Sequence, residues 1–234
     1  MKVDADYRKL RLNTSFSPEF RHIWLLAWWP LYGLGFSLLE RSWPARDAAY
    51  HTVYAPLDSM IPFCEWFVFP YLLWFAAIVG MLVYTFFFDV RSFKRFMWFV
   101  MITYTLTLLI YLVWPTKQEL RSDMFLRDNW MTRFMAGFYA YDTNTNVCPS
   151  LHVIGAWAVC CCAWHTKGMR HIAWRIGHTV LAIMITLSTV FLKQHSVHDV
   201  WPALLICAVT YIGSFMVPKW VQKRCATQSC GAEK

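Results

Sequence analysis

Two histidines and an aspartate lie beside strongly apolar segments of this sequence. His152 is followed by a long apolar run, and His195 precedes Asp199 by four residues. Because residues four apart share one face of a helix, the Asp199 carboxylate could orient the His195 imidazole. An oriented, basic imidazole beside a second histidine can carry out nucleophilic and acid–base catalysis. Polar residues kept beside membrane spans are costly, so we treat all three as candidate catalytic residues.

The composition indicates a membrane protein. Of the 234 residues, 58% are hydrophobic and 15% are charged, whereas globular proteins average about 25% charged residues. Several uncharged stretches approach the roughly 20 residues that a helix needs to cross a bilayer. These lengths favour a membrane protein over a soluble helical protein with a large core. Cys160, Cys161 and Cys162 fall inside one such stretch and are predicted to be small core residues.

We predict an all-α fold, a bundle of six transmembrane helices with a site at one end, formed by residues 1–234 as a single domain. Residues 1–21 and 218–234 form the predicted cytoplasmic N-terminus and tail. The six predicted spans are about His22–Leu39, Ile61–Phe88, Phe96–Trp114, Leu151–Trp164, Ile172–Leu192 and Val200–Val217.

The distribution of Lys and Arg predicts the orientation. With six spans, one side of the membrane would hold 15 of these residues and the other side 7. Cytoplasmic loops carry the excess of positive charge, so both termini are predicted to be cytoplasmic, in a multi-pass protein of the plasma membrane. The net charge of +8 is then explained by this bias and by anionic headgroups, and it requires no nucleic-acid partner.

The same topology brings the polar residues together at the outer face. The fourth span would start there with Ser150 and His152, the fifth would end near Ser188, and the sixth would leave with His195 and Asp199. Sites built between facing helices are expected at such an end.

Cations in the loop after the third span could bind a phosphoryl group. Lys117 and Arg121 lie next to the span end, where an ammonium and a guanidinium fork suit phosphate oxygens. Arg127 and Arg133 are predicted to be solvated instead, because residues Met124–Tyr141 look like an amphipathic interfacial helix.

The residues P-S-L-H at 149–152 resemble the PSGH motif of the type 2 phosphatidic acid phosphatase superfamily, which groups lipid phosphate phosphatases with vanadium haloperoxidases. The superfamily's third motif, SRxxxxxHxxxD, is similar to Ser188, His195 and Asp199 at the same spacing, with Thr189 in place of Arg. The stretches Tyr141–His152 and Ser188–His195 resemble a branch with inositol phosphorylceramide synthase-like proteins.

The superfamily's first motif, KxxxxxxRP, has the weakest counterpart. Arg121 stands where its Arg would be, but Ser122 replaces the Pro and Trp114 replaces the Lys. Lys117 or Lys193 could supply the missing cation.

The resemblance implies a six-helix fold and a metal-independent, cofactor-free mechanism. His195 would attack phosphorus and become a phosphohistidine, Asp199 would orient it, and His152 would protonate the leaving alkoxide and then activate water or an alcohol. The resemblance also implies that the phosphate oxygens are held by Ser150, Arg121, Lys193 and Ser188.

The predicted function is therefore a lipid phosphatase that hydrolyses a phosphomonoester or diphosphate of a lipid, such as phosphatidate, phosphatidylglycerol phosphate or a polyprenyl diphosphate. The near alternative is a phosphotransferase that passes a phospho-headgroup to an alcohol. The remote alternative is a transporter, which would place its ionisable groups near the bilayer midplane. A metal site made of His152, His195, His198 and Asp199 is a further alternative, without a recognised ligand spacing to favour it. The partners are the lipid substrate and the bilayer, and the oligomeric state stays open.

Overall fold

The computed structural model describes residues 4–42, 50–121, 125 and 127–216. Several features of the sequence lie outside these residues: the predicted tail 218–234, Ser122 of the first motif, and Met124 at the start of the predicted interfacial helix.

The described chain is mostly helical. Its α-helices are α1 (Trp28–Ser42), α2 (Pro56–Met60), α3 (Val68–Phe88), α4 (Val90–Val113), α5 (Trp130–Tyr141), α6 (Leu151–His165), α7 (Ile172–Phe191) and α8 (Val197–Tyr211). Five 3-10 helices (Tyr7–Lys9, Leu12–Thr14, Arg21–Ala27, Glu65–Phe67 and Lys167–Met169) and a terminal π-helix (Ile212–Met216) complete the helical content. Two short parallel strands, β1 (His51–Thr52) and β2 (Thr116–Lys117), join the loops at one end of the bundle.

Four helical segments of the described chain are long and apolar enough to cross a membrane: Glu65–Phe88, Val90–Val113, Ile172–Phe191 and Val197–Met216. The membrane character predicted from the sequence is therefore confirmed at this level. The other two predicted spans are shorter α-helices. The first begins as the 3-10 helix Arg21–Ala27 before α1, and the fourth is the 15-residue α6.

Two helices begin at residues other than those predicted, and in both the first residue follows an N-capping side chain. The third span was expected from Phe96, but α4 begins at Val90 because the Asp89 carboxylate accepts a hydrogen bond from the Ser92 amide. The basic residues after Asp89 are thus helical. The interfacial helix also begins late, at Trp130, where the Asn129 side chain caps its first turn. Capping groups satisfy the free amides of a first turn whatever the hydropathy of that turn.

Helix α6 is the centre of the bundle, in contact with α3, α4, α7 and α8. Gly155 permits this packing. A Cβ atom there would lie 2.6 Å from both Trp74 Nε1 and Tyr104 Oη, closer than side chains tolerate. Cys160 and Cys162 are buried in the same helix as free thiols, as predicted, whereas Cys161, which was also predicted to lie in the core, is only half-buried.

The outward surfaces of the long helices are apolar. Large side chains such as Leu73 and Phe75 of α3, Leu109 of α4 and Leu205 of α8 are exposed. Continuous exposed apolar surface of this kind is suited to contact with lipid.

Candidate active site

His195 lies in the short turn between α7 and α8. Ser196 is the N-cap of α8, so His195 precedes the helix rather than belonging to it. The His195–Asp199 pair nevertheless forms, because Asp199 sits in the first turn of α8 and its Oδ2 atom lies 3.2 Å from His195 Nδ1. The same oxygen accepts a 2.9 Å hydrogen bond from the Ser196 amide. Both side chains of the pair are buried, which holds the ring in one orientation.

His152 is placed in the first turn of α6. Its ring stacks on Tyr71 at 4.6 Å and lies 4.5 Å from the Trp74 ring, measured between centroids. The His152 and His195 rings are 5.7 Å apart in an edge-to-face arrangement. Two imidazoles at this separation can reach adjoining atoms of one bound group.

Both histidines line a small cavity of about 60 Å³. Its polar lining otherwise consists of Glu40, Asp142, Thr143, Thr145, Asn146 and Gln194. Within the described part of the chain, no Lys or Arg belongs to this lining.

Arg121 lies behind the cavity wall. Its guanidinium donates hydrogen bonds to the backbone carbonyls of Asp142 (2.7 Å) and Thr143 (2.8 Å) and to Gln194 Oε1 (2.5 Å). It also stacks over the Tyr139 ring, 4.8 Å from the centroid. In this geometry Arg121 holds two sides of the cavity together. Its Nη atoms donate to protein acceptors, whereas its Nε atom is buried without a hydrogen-bond partner.

Lys193 and Lys117 are directed elsewhere. The Lys193 ammonium donates to the carbonyls of Asp58 (2.7 Å) and Ile61 (2.5 Å) and lines a different cavity. The backbone of Lys193 has a φ of 53°, a left-handed conformation that is unfavourable for a lysine. These contacts stabilise the turn that presents His195. Lys117 pairs with Glu119 at 2.6 Å.

The two predicted serines have structural partners. The Ser150 hydroxyl is the N-cap of α6 and accepts from the Val153 amide at 3.4 Å. The Ser188 hydroxyl donates to the Ile185 carbonyl one turn earlier in α7, at 2.7 Å. Both serines are buried away from the cavity lining. None of the five predicted phosphate ligands lines this cavity, and their role as phosphate ligands stays a prediction.

Asp58 is a buried residue that sequence reasoning missed. Its Oδ2 atom accepts from the Ser196 hydroxyl at 2.5 Å and from the Ala55 amide at 2.7 Å, and Oδ1 accepts from the Val197 amide at 2.9 Å. Asp58 therefore fixes the start of α8, where a carboxylate also complements the helix dipole. The sequence signal was weak, because Asp58 is one of three acidic residues between the first two predicted spans and no motif singles it out.

Glu40 is the second residue that was missed. It lies in the last turn of α1, directly after the predicted first span, and its Oε1 atom accepts a hydrogen bond from Asn146 Nδ2 at 2.8 Å. Its other oxygen accepts a hydrogen bond from the Thr143 hydroxyl. Glu40 and Asp142 therefore bring two carboxylates to the cavity.

Burial changes the titration of two groups around this cavity. It raises the pKa of the Asp142 carboxyl, and the nearby Arg121 guanidinium opposes this shift. Burial, assisted by the Asp199 carboxylate, also raises the pKa of the Cys148 thiol to about 12. A thiol with a raised pKa is protonated at neutral pH and is a poor nucleophile.

No family model, curated protein or solved structure matches this chain. Among the described residues, no group of three His, Cys, Asp or Glu side chains is arranged to hold a metal ion.

Proposed function

We propose that this chain is a membrane-bound enzyme that cleaves phosphate esters of lipids through a phosphohistidine formed on His195. The observation that carries the proposal is the buried His195–Asp199 pair at 3.2 Å, facing the same cavity as His152. The resemblance of these segments to type 2 phosphatidic acid phosphatases supports the same chemistry.

In the proposed mechanism, the Asp199 carboxylate accepts a hydrogen bond from the Nδ1–H group of His195, which keeps that proton on Nδ1 and leaves the Nε2 lone pair for attack on phosphorus. The Nε2–P bond forms as the ester P–O bond breaks, and His152 donates its proton to the departing alkoxide. Neutral His152 then removes a proton from the incoming water or alcohol. That oxygen attacks phosphorus, the P–N bond breaks, and both histidines return to their starting states.

The proposed topology completes the membrane assignment. We propose that the 3-10 helix Arg21–Ala27 with α1, and the short α6, also cross the bilayer and give six spans. Both termini would then be cytoplasmic, and the histidines would open toward the outer leaflet of the plasma membrane. The excess of Lys and Arg on the side of the termini supports this orientation.

Transfer to an alcohol is the second candidate function. The lining carries the carboxylates of Glu40 and Asp142 and no Lys or Arg among the described residues. Carboxylates repel a phosphate dianion and accept hydrogen bonds from hydroxyls. This lining therefore favours a monoanionic phosphodiester as donor and a hydroxyl-bearing acceptor over a simple phosphomonoester.

A product screen of the purified full-length protein tests both candidates. Phosphatidate, phosphatidylglycerol phosphate and a polyprenyl diphosphate would be assayed for phosphate release, and phospholipids would be incubated with diacylglycerol or inositol and resolved by thin-layer chromatography. We expect turnover of at least one lipid that His195→Ala does not turn over. Equal turnover by His195→Ala, or none in any arm by the wild type, would contradict the proposal. Release of free phosphate alone would select hydrolysis, and acceptor-dependent products would select transfer.

A further inference from the structure

A second polar cavity lies at the opposite end of the bundle. Helix α6 connects the two ends, beginning beside His152 and ending at His165, a rise of roughly 20 Å. The cavity has a volume of about 360 Å³, and its charged lining is formed by Arg91, Arg95, Lys167, Arg170, Arg175 and Asp89.

The single carboxylate in this lining does not balance the cations. Asp89 Oδ1 accepts from the Ser92 amide at 3.0 Å, and Oδ2 accepts from the Lys167 amide at 2.9 Å. Both oxygens are therefore engaged by backbone groups at the start of α4 and after α6.

Most of the cations form no ion pair. Among the described residues this holds for Arg95, Lys167, Arg170 and Arg175, and the Asp89 carboxylate attracts Arg95 without a direct ion pair. The Nε atom of Arg175 is buried without a hydrogen-bond partner, and its guanidinium is held over the Trp164 ring, 5.3 Å from the centroid. A buried, unsatisfied donor in a cluster of like charges is costly unless an anion binds there.

An apolar groove adjoins the basic cavity. It has a volume of about 630 Å³ and runs between α4 and the end of α8. Trp98, Ile102 and Val209 line it, whereas Arg91 and Arg95 belong to both the groove and the basic cavity. A cationic pocket continuous with an exposed apolar groove matches a ligand with an anionic head and a hydrocarbon tail.

We propose that the basic cavity binds the phosphate group of an anionic lipid and that an acyl chain of this lipid lies in the groove. Basic pockets between transmembrane helices are suited to such headgroups, and guanidinium groups bind phosphate oxygens in bidentate fashion. This site is separate from the histidine cavity, and it does not depend on the proposed catalytic function.

Photo-crosslinking tests the site directly. The full-length protein in phosphatidylcholine vesicles would be exposed to a minor fraction of phosphatidate carrying a photoreactive acyl chain, and labelled peptides would be mapped by mass spectrometry. We expect labelling near Trp98 and Ile102 of α4 and Val209 of α8, enriched over a photoreactive phosphatidylcholine. Each removed cation should weaken binding of the anionic lipid about fivefold. The double variant with Arg95→Gln and Arg175→Gln should therefore lower this enrichment about 30-fold.

Matched variants keep the test decisive. Arg21→Gln removes an exposed cation that lines neither cavity and should leave the labelling unchanged. Because Arg95 is partly buried, Arg170→Gln, whose side chain is exposed, is a second variant with an expected loss of about fivefold. Labelling that these cavity variants do not reduce would overturn the proposal. Displacement of the label by inorganic phosphate would overturn the lipid assignment and identify free phosphate as the ligand.

Discussion

The two ends of the bundle have opposite electrostatic character. At one end, two histidines share a cavity with Glu40 and Asp142, and the nearby Arg121 is engaged by protein acceptors. At the other end, five Lys and Arg side chains face one carboxylate that backbone amides already occupy. At the first end a buried carboxylate orients one of the two histidines, as catalysis requires. At the second end the cations outnumber the carboxylates, as a binding site for an anion requires.

The difference extends to the backbone around each site. Two non-glycine residues with positive φ, Asn146 and Lys193, precede the two histidine-bearing segments, and no other described non-glycine residue has this conformation. Such strained positions persist only when surrounding contacts determine them. The surrounding contacts thus fix the histidine-bearing end, and under the proposed function its variants should change rates more than affinities.

Removal of His195 should have the largest effect. We expect His195→Ala to lose turnover on the order of 10⁶-fold, the scale seen when a nucleophile is removed from a covalent catalyst. Steady-state assays with the best lipid from the screen would measure it. The matched control at the other end is Arg21→Gln, which should retain wild-type turnover. A turnover rate of His195→Ala within tenfold of wild type would contradict the assignment of the catalytic role to the histidine end.

His152→Ala should show a smaller loss that depends on the leaving group. We expect lipid turnover to fall about 10²–10⁴-fold, the usual contribution of a general acid or base. An activated ester such as p-nitrophenyl phosphate needs little protonation of its leaving group. The rate of its first step, formation of the phosphohistidine, should therefore fall less in His152→Ala. Equal losses for both substrates would argue against a role in leaving-group protonation.

Asp58→Asn should weaken the positioning of His195. The amide retains the shape but loses an acceptor for the Ser196 hydroxyl or the Val197 amide, which predicts a destabilisation of about 2 kcal/mol. The catalytic readout is a lower kcat with little change in KM, because the residue acts through the turn and not on substrate. Glu119→Gln changes an exposed carboxylate that lines the same cavity as Asp58 and should leave kcat unchanged. A changed KM with normal kcat would contradict the positioning role.

Gly155→Ala should destabilise the scaffold common to both ends. The added Cβ would collide with Trp74 and Tyr104 at 2.6 Å, and overpacking of this kind costs about 1–3 kcal/mol. Thermal unfolding in detergent would measure it. Gly177 in α7 has open space around it, so Gly177→Ala should be neutral or slightly stabilising. Equal melting temperatures for the two variants would show that α6 can shift without cost.

The sequence predicted the helical membrane character and the His195–Asp199 contact, because hydropathy and a four-residue spacing are local properties. It did not predict hydrogen-bond partners that are distant in sequence. Asp58 lies 138 residues from its partner Ser196, and Glu40 lies 106 residues from its partner Asn146. The sequence also did not predict the direction in which side chains point. Lys193 is two residues from His195, but its left-handed backbone directs the ammonium toward Asp58.

The phosphohistidine is the most direct test of the proposed chemistry. The full-length protein would be mixed with a radiolabelled lipid phosphate that it turns over, quenched within the first turnover, and digested for peptide mapping under conditions that preserve acid-labile phosphohistidine. We predict that the label is on His195, that it is absent in His195→Ala, and that it still forms with an activated ester in His152→Ala. Label on His152, or its persistence in His195→Ala, would contradict the assignment of His195 as the nucleophile.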